Sequence, residues 1–135
     1  MAEPISIGLD PLTRDEVIAV ARERAPVTLT TRALDAVAAA RAHIDKLAHA
    51  PTPTYGVSTG FGALATKHIP TDRRAALQRS LIRSHAAGAG DPVEVEVVRA
   101  LMLLRLRTLA SGHTGVQPST VDTLARMLNA GLTPP

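Results

Sequence analysis

The chain has no cysteine and no tryptophan, and only one tyrosine and one phenylalanine among its 135 residues. Without cysteine there is neither a disulfide framework nor a thiolate metal site, and a reducing cytoplasm is the expected address. Without aromatic bulk, a core must be assembled from Leu, Val, Ile and abundant Ala, which favours helices over a sheet sandwich. No run approaches the ~18 apolar residues of a membrane span. The opening Met1-Ala-Glu-Pro-Ile-Ser lacks the basic-then-apolar pattern of a leader, so neither membrane nor export is expected. A strong charge of one sign is missing too. Fifteen basic residues face twelve acidic ones for a net +3, and the arginines are interspersed with acids. That pattern describes solvated helix faces rather than a phosphate-binding stripe, so no nucleic-acid partner is expected.

What is present is a 45% hydrophobic composition, enough for a modest core. One unit over residues 1–135 with no internal boundary is expected, and its class is mainly α. Ile5, Ile7 and Leu9 alternate with small or polar residues, as do Val27 and Leu29, so a short extended hairpin near the start is expected. Thr13-Arg-Asp-Glu16 has capping-box spacing and predicts a helix over 14–24. Leu34, Val37, Ala40, Ile44 and Leu47 recur at three- and four-residue steps and predict a second helix over 31–49. Thr71 and Asp72 begin a third, with Leu77, Leu81 and His85 on one face and Gly88 as its terminator. Asp91-Pro-Val-Glu94 opens a fourth, Pro being tolerated in a first turn. Its residues Val95 to Leu109 are apolar nearly all round, which implies burial on several sides. So short a chain can hardly supply all those neighbours. Ser119-Thr-Val-Asp122 begins a fifth helix that ends near Asn129 and Gly131.

Between the second and third helices, residues 51–70 have no helical period and form a long loop, a class of segment that is usually functional or disordered. Both aromatic residues of the chain lie there, in Tyr55-Gly-Val-Ser-Thr-Gly-Phe-Gly62. Gly56, Gly60 and Gly62 permit backbone conformations and close approaches that let a loop present a phenol to a ligand. A phosphate cradle is poorly supported, because no Gly-Lys-Ser/Thr ending follows. On the residues alone, Tyr55 could equally anchor the loop on a core.

The stretch resembles the Tyr-Gly-x-x-Thr-Gly-Phe-Gly signature of the aromatic amino acid ammonia-lyases and aminomutases. Further blocks are similar to that family in turn: Leu77-Gln-Arg-Ser-Leu81-Ile-Arg-Ser84-His85-Ala-Ala-Gly-Ala-Gly90, then Val98 to Met102 with Ser111 to Val116, then Leu128-Asn-Ala-Gly131 with Thr-Pro-Pro. The resemblance covers the chain from Ala48 onward, and less distinctly what precedes it. It implies the amino-terminal helical part of the ammonia-lyase, fumarase/aspartase-like fold.

Family members differ at a dipeptide that here reads Ser84-His85, as in those acting on histidine. An imidazole and a hydroxyl on a pocket wall can hydrogen-bond an imidazole substrate, whereas an apolar wall suits a phenyl ring. The resemblance therefore implies elimination of ammonia from L-histidine to give trans-urocanate. Tyr55 would act at the β-proton, His85, Ser84 and Gly62 would bind substrate, and Gly56, Thr59, Gly60 and Phe61 would support the loop. Alternatives are a related tyrosine or phenylalanine lyase or aminomutase, and a non-catalytic remnant or interaction module of the same fold. Ser58 departs from the Asn that histidine-acting members often carry.

The resemblance also implies a homotetramer with no metal and no dissociable cofactor. The electrophile would be a methylidene-imidazolone made by cyclising an Ala-Ser-Gly tripeptide. The chain contains Ala110-Ser111-Gly112, but this precedes the Asn-Ala-Gly block that the cofactor segment should follow. The tripeptide is expected to be the last turn of the fourth helix, with the true cofactor segment lying beyond Pro135. The 135 residues alone are then expected to be inactive and to self-associate through the apolar fourth helix.

Overall fold

The computed structural model describes residues 3–134. The order of elements is β1 (Ile5–Ile7), α1 (Arg14–Ala21), β2 (Val27–Leu29), α2 (Thr31–His49), a 3-10 turn at Gly62–Leu64, α3 (Thr71–His85), α4 (Val95–Ala110) and α5 (Pro118–Asn129). The chain is mainly helical, as its composition requires. It resolves into two compact units, residues 3–42 with 92–134, and residues 43–91. The sequence of α2 passes from the first into the second.

In the first unit α1 begins as its sequence dictates. The Thr13 amide donates to Glu16 Oε2 at 2.7 Å and the Glu16 amide to Thr13 Oγ1 at 3.2 Å, closing the capping box. The helix stops at Ala21, short of the expected Arg24. Arg24 takes a left-handed φ of 58°, which turns the chain so that the Ala25 amide reaches the Ala19 carbonyl at 3.0 Å. The strands do not form the expected hairpin. They pair in parallel, with Ile5 opposite Val27 and Ile7 opposite Leu29. The reason lies between them: α1 occupies the connection, and a strand followed by a helix returns to its partner in parallel as a crossover unit. Asn129 at the end of α5 then covers β2, its Oδ1 accepting from the Val27 amide at 2.8 Å and its Nδ2 donating to the Val27 carbonyl at 2.9 Å. One side chain thus supplies what a third strand would.

Ile7, Val20, Val27, Val37, Leu103, Leu106, Val121 and Leu128 are buried at the centre of this unit. Among them runs Arg99, whose Nε donates to the Val20 carbonyl and Nη1 to the Leu128 carbonyl, each at 3.0 Å. Burial, and secondarily Arg24, push this guanidinium below its usual value. The fourth helix starts at Val95 rather than in the Asp91-Pro segment. No side chain caps it, and Glu96 in its first turn makes a two-pronged surface ion pair with Arg22, at 3.0 and 3.2 Å. It is buried on one side only, through Arg99, Met102, Leu103, Leu106 and Ala110. Val95, Val97, Leu101 and Leu104 remain exposed, Leu101 at 67%. α5 ends in a Schellman motif: Gly131 is left-handed, its amide donates to Leu128 and that of Leu132 to Met127.

The second unit holds the end of α2, the loop and α3. α3 starts at Thr71 as expected but ends at His85, three residues before Gly88, with Ala86 as its cap. Gly88 does not adopt the left-handed conformation of a glycine terminator. No residue of α3 is buried. No helix among the described residues is long and apolar enough to cross a membrane.

Candidate active-site loop and its relatives

Residues 51–70 form an ordered loop held by backbone hydrogen bonds. The Ser58 amide donates to the Thr54 carbonyl at 3.0 Å, closing the turn that carries Tyr55 and Gly56. The loop's return is zipped by an isolated antiparallel bridge between Thr59 and His68. There the Gly60 amide donates to Lys67 and the Ile69 amide to Ser58. Two hydroxyls finish the frame from inside. Ser58 Oγ accepts from the Thr54 amide at 2.9 Å, and Thr59 Oγ1 accepts from the Gly56 amide at 3.2 Å while donating to the Gly60 carbonyl at 3.0 Å. Both residues are buried, Ser58 completely. The Ser58 side chain therefore points inward, to the backbone of its own loop at Thr54.

Two glycines are required for stated reasons. Gly56 has a φ of +71°, and a Cβ there would lie 3.2 Å from the Phe61 ring. At Gly60 a Cβ would meet Leu64 Cβ at 2.5 Å, a separation real structures do not tolerate. The outcome is that Tyr55 and Phe61 meet edge to face, ring centroids 5.9 Å apart at 80°. Tyr55 is 63% exposed, so its ring is steadied along one edge and its remaining surface is open. Gly62, φ +55°, begins the short 3-10 turn.

Ser84 and His85 occupy the last turn of α3. Ser84 Oγ donates to the Leu81 carbonyl at 2.9 Å, and His85 Nδ1 lies 2.9 Å from the same oxygen and 3.0 Å from Ser84 Oγ. In the tautomer that carries its hydrogen on Nδ1, the ring donates to the Leu81 carbonyl and keeps Nε2 as an acceptor. Tyr55, Gly56, Thr59, Gly60, Phe61 and Gly62 are brought together in one loop. Among the described residues no hydrogen bond or ring contact joins them to Ser84 or His85.

Arg74 had no distinguishing mark in the sequence, being one of thirteen arginines. In the second α3 turn its Nε donates to the Ile69 carbonyl at 3.0 Å and its Nη1 to the Ala48 carbonyl at 2.7 Å. A local pattern cannot show a bond made to a residue 26 positions away.

Ala110, Ser111 and Gly112 form the end of α4. Ser111 is the cap, in helical conformation (φ −66°, ψ −12°), its Oγ donating to the Thr108 carbonyl at 2.7 Å. Ala110 is fully buried. Gly112 turns left-handed against α2, where a Cβ would sit 2.7 Å from that of Ala36. This is a helix terminator packed on a neighbouring helix, and it does not fit a cyclised tripeptide. Among the described residues no group of His, Asp or Glu is arranged to hold a metal ion.

The family model for aromatic amino acid lyases matches residues 12–135. The chain belongs to the aromatic amino acid lyase family. It is 58% identical over 130 residues to the histidine ammonia-lyase of Streptomyces griseus, covering 96% of this chain and 25% of that protein. It is 46% identical to the histidine ammonia-lyase of Treponema denticola, covering 98% and 26%. Among solved structures, the ergothionase of Treponema denticola superposes with a TM-score of 0.91 at 30% identity, over 96% of this chain and 26% of that one. The histidine ammonia-lyase of Trypanosoma cruzi does so with a TM-score of 0.83 at 34% identity, over 94% and 24%. The chain thus spans about a quarter of the length of the family members it matches. The family in general depends on the methylidene-imidazolone group.

Proposed function

We propose that the full-length protein eliminates ammonia from L-histidine to give trans-urocanate, and that these residues supply its proton-accepting loop and part of its substrate wall. The observation that carries this reading is the last turn of α3. In the tautomer that donates from Nδ1 to the Leu81 carbonyl, His85 offers Nε2 as an acceptor for the N–H of a substrate imidazole. A phenyl or phenol ring has no ring N–H to offer it. The identity to histidine ammonia-lyases supports the same substrate.

Tyr55 takes the β-proton in this scheme. It stands on an ordered loop, open on one side, at the tip of a frame whose glycines permit close approach. Proton removal by a phenolate requires positive charge or hydrogen-bond donors around its oxygen, which the rest of the protein must bring. Gly62, exposed at the turn, has room for a bound carboxylate or amine. The family's methylidene-imidazolone, when formed, supplies the electrophile that makes ammonia a competent leaving group. Ala110-Ser111-Gly112 is not its source here, and a segment of the protein outside these residues fills that part.

The 135 residues alone are accordingly inactive in this reading. The uncovered side of α4, with Val95, Val97, Leu101 and Leu104, drives self-association of the isolated chain, and in the full-length homotetramer it lies against further protein. The test is a urocanate absorbance assay on the full-length protein. Tyr55→Phe keeps the ring and loses the proton acceptor, so kcat should fall about 10²- to 10⁴-fold with KM within about tenfold. His85→Leu should shift preference from histidine toward tyrosine. Near-normal turnover in the first variant, or unchanged discrimination in the second, overturns the assignment.

A further inference from the structure

The geometry points to Arg74 as the residue that positions the Tyr55 loop, by clasping both of its feet. This rests on the reading of Tyr55 as the proton acceptor and deepens it. The loop leaves the end of α2 and returns at the start of α3, and its own hydrogen bonds zip only its middle, from Thr54 to Ile69. Arg74 joins the outgoing foot at Ala48 to the returning foot at Ile69 with two donors of one rigid guanidinium. The planar fork fixes the separation of the two carbonyls, which a flexible ammonium could not.

Both carbonyls gain from a cation. Ala48 lies in the last turn of α2, where carbonyls have no partner within the helix and the helix dipole is negative. Ile69 is the residue whose amide already closes the loop on Ser58, so the clasp acts directly on the last bond of the frame. Ser58 in turn carries the two hydrogen bonds to Thr54 next to Tyr55. A continuous chain of hydrogen bonds therefore runs from Arg74 through Ile69 and Ser58 to the turn bearing the phenol. No hydrophobic residue of the second unit is fully buried, and Val57, Phe61 and Ile69 in the loop are only half-buried. Arg74 touches no reacting atom in this scheme. It sets where Tyr55 stands.

The test compares Arg74→Met, Arg74→Lys and Arg73→Met in the full-length protein by hydrogen exchange and steady-state kinetics. Arg73 is the exposed neighbour, with no side-chain hydrogen bond or ion pair among the described residues. In Arg74→Met the amides of Ser58, Gly60 and Ile69 should exchange about tenfold faster or more, while those of α4 and α5 stay unchanged, because two charge-assisted bonds are lost at one place. In the same variant kcat should fall about tenfold or more with KM changed less than threefold. Arg74→Lys should recover part of both effects, and Arg73→Met should match the parent. Should Arg74→Met fail to fold, the partial effects of Arg74→Lys carry the comparison. Unchanged loop exchange overturns the clasp. A loosened loop with unchanged kcat overturns the positioning role even if the clasp stands. Normal activity of Tyr55→Phe would instead remove the reading of Tyr55 and leave the exchange result to judge the clasp.

Discussion

The two units of this chain are held together by different physics. Residues 3–42 with 92–134 enclose every buried hydrophobic side chain found among the described residues, whereas in residues 43–91 the buried side chains are the hydroxyls of Ser58 and Thr59. The first unit gains from removing Leu, Val and Ile from water, a non-directional force that tolerates small shifts. The second relies on hydrogen bonds, which fail steeply with angle and distance. All the candidate site residues lie in the second. A loop fixed by directional bonds can hold a phenol in one place without wrapping it in a core that would exclude substrate.

The sharpest way to break this comparison is to remove bulk from the first unit. Leu103→Ala, at a fully buried position, should cost about 2 to 5 kcal/mol and speed amide exchange throughout α4 and α5. The amides of Ser58 and Gly60 should keep their rates, since they open through their own polar bonds. Loop exchange rising in step with the helices would show that one core governs both units.

Next in size is Gly60→Ala in the loop. A methyl group 2.5 Å from Leu64 Cβ forces backbone movement, with an expected cost of about 1 to 3 kcal/mol confined to loop exchange. In the full-length protein turnover should fall along with it, and an unaffected turnover would separate loop order from activity.

The capping box tests a polar device inside the apolar unit. Thr13→Ala should cost about 1 kcal/mol by denaturant unfolding. The Thr13 backbone amide, then its hydroxyl, hold the Glu16 carboxyl below its ordinary value. A depressed folded value means stability that is present above the unfolded value and is lost as pH falls through the depressed one. The cost of Thr13→Ala should therefore shrink in acid below the ordinary carboxylate range, and a pH-independent cost would show that the bond from the Thr13 hydroxyl to the carboxylate contributes nothing.

The smallest effect expected is a gain. Arg24 holds a left-handed conformation that L-residues adopt at a penalty, so Arg24→Gly should stabilise the first unit by about 0.5 kcal/mol after glycine's greater unfolded freedom is offset. Thermal unfolding would read it, and destabilisation would mean that glycine's greater unfolded freedom outweighs the relieved strain.

Much of the fold was legible in the sequence because its signals are local. Capping-box spacing, a 3.6-residue apolar period and paired prolines each act within a few residues, so the α1 start, the extent of α2, the α3 start and the α5 terminator stand where they were read. The glycines and aromatics of 55–62 marked the loop, and the order of blocks marked Ala110-Ser111-Gly112 as a helix end, as the structure has it. The errors fell where a distant partner decides. Alternation in Ile5–Ile7 and Val27–Leu29 announces strands but carries no direction, and it is the crossover through α1 that makes them parallel. An apolar circumference on α4 says how much area can be buried, not which side is covered.

The sequence by itself determined the helical class, the punctuation of its elements, the family and the aromatic loop, because each is written in neighbouring residues or an ordered motif. Only the tertiary structure decided that Ser58 turns inward, that Asn129 stands in for a strand, and that Arg74 ties the two feet of the loop. These are hydrogen bonds made by common polar residues to backbone groups. Their partners are chosen by where the folded chain brings carbonyls and amides within about 3 Å, a distance that no local pattern of side chains encodes.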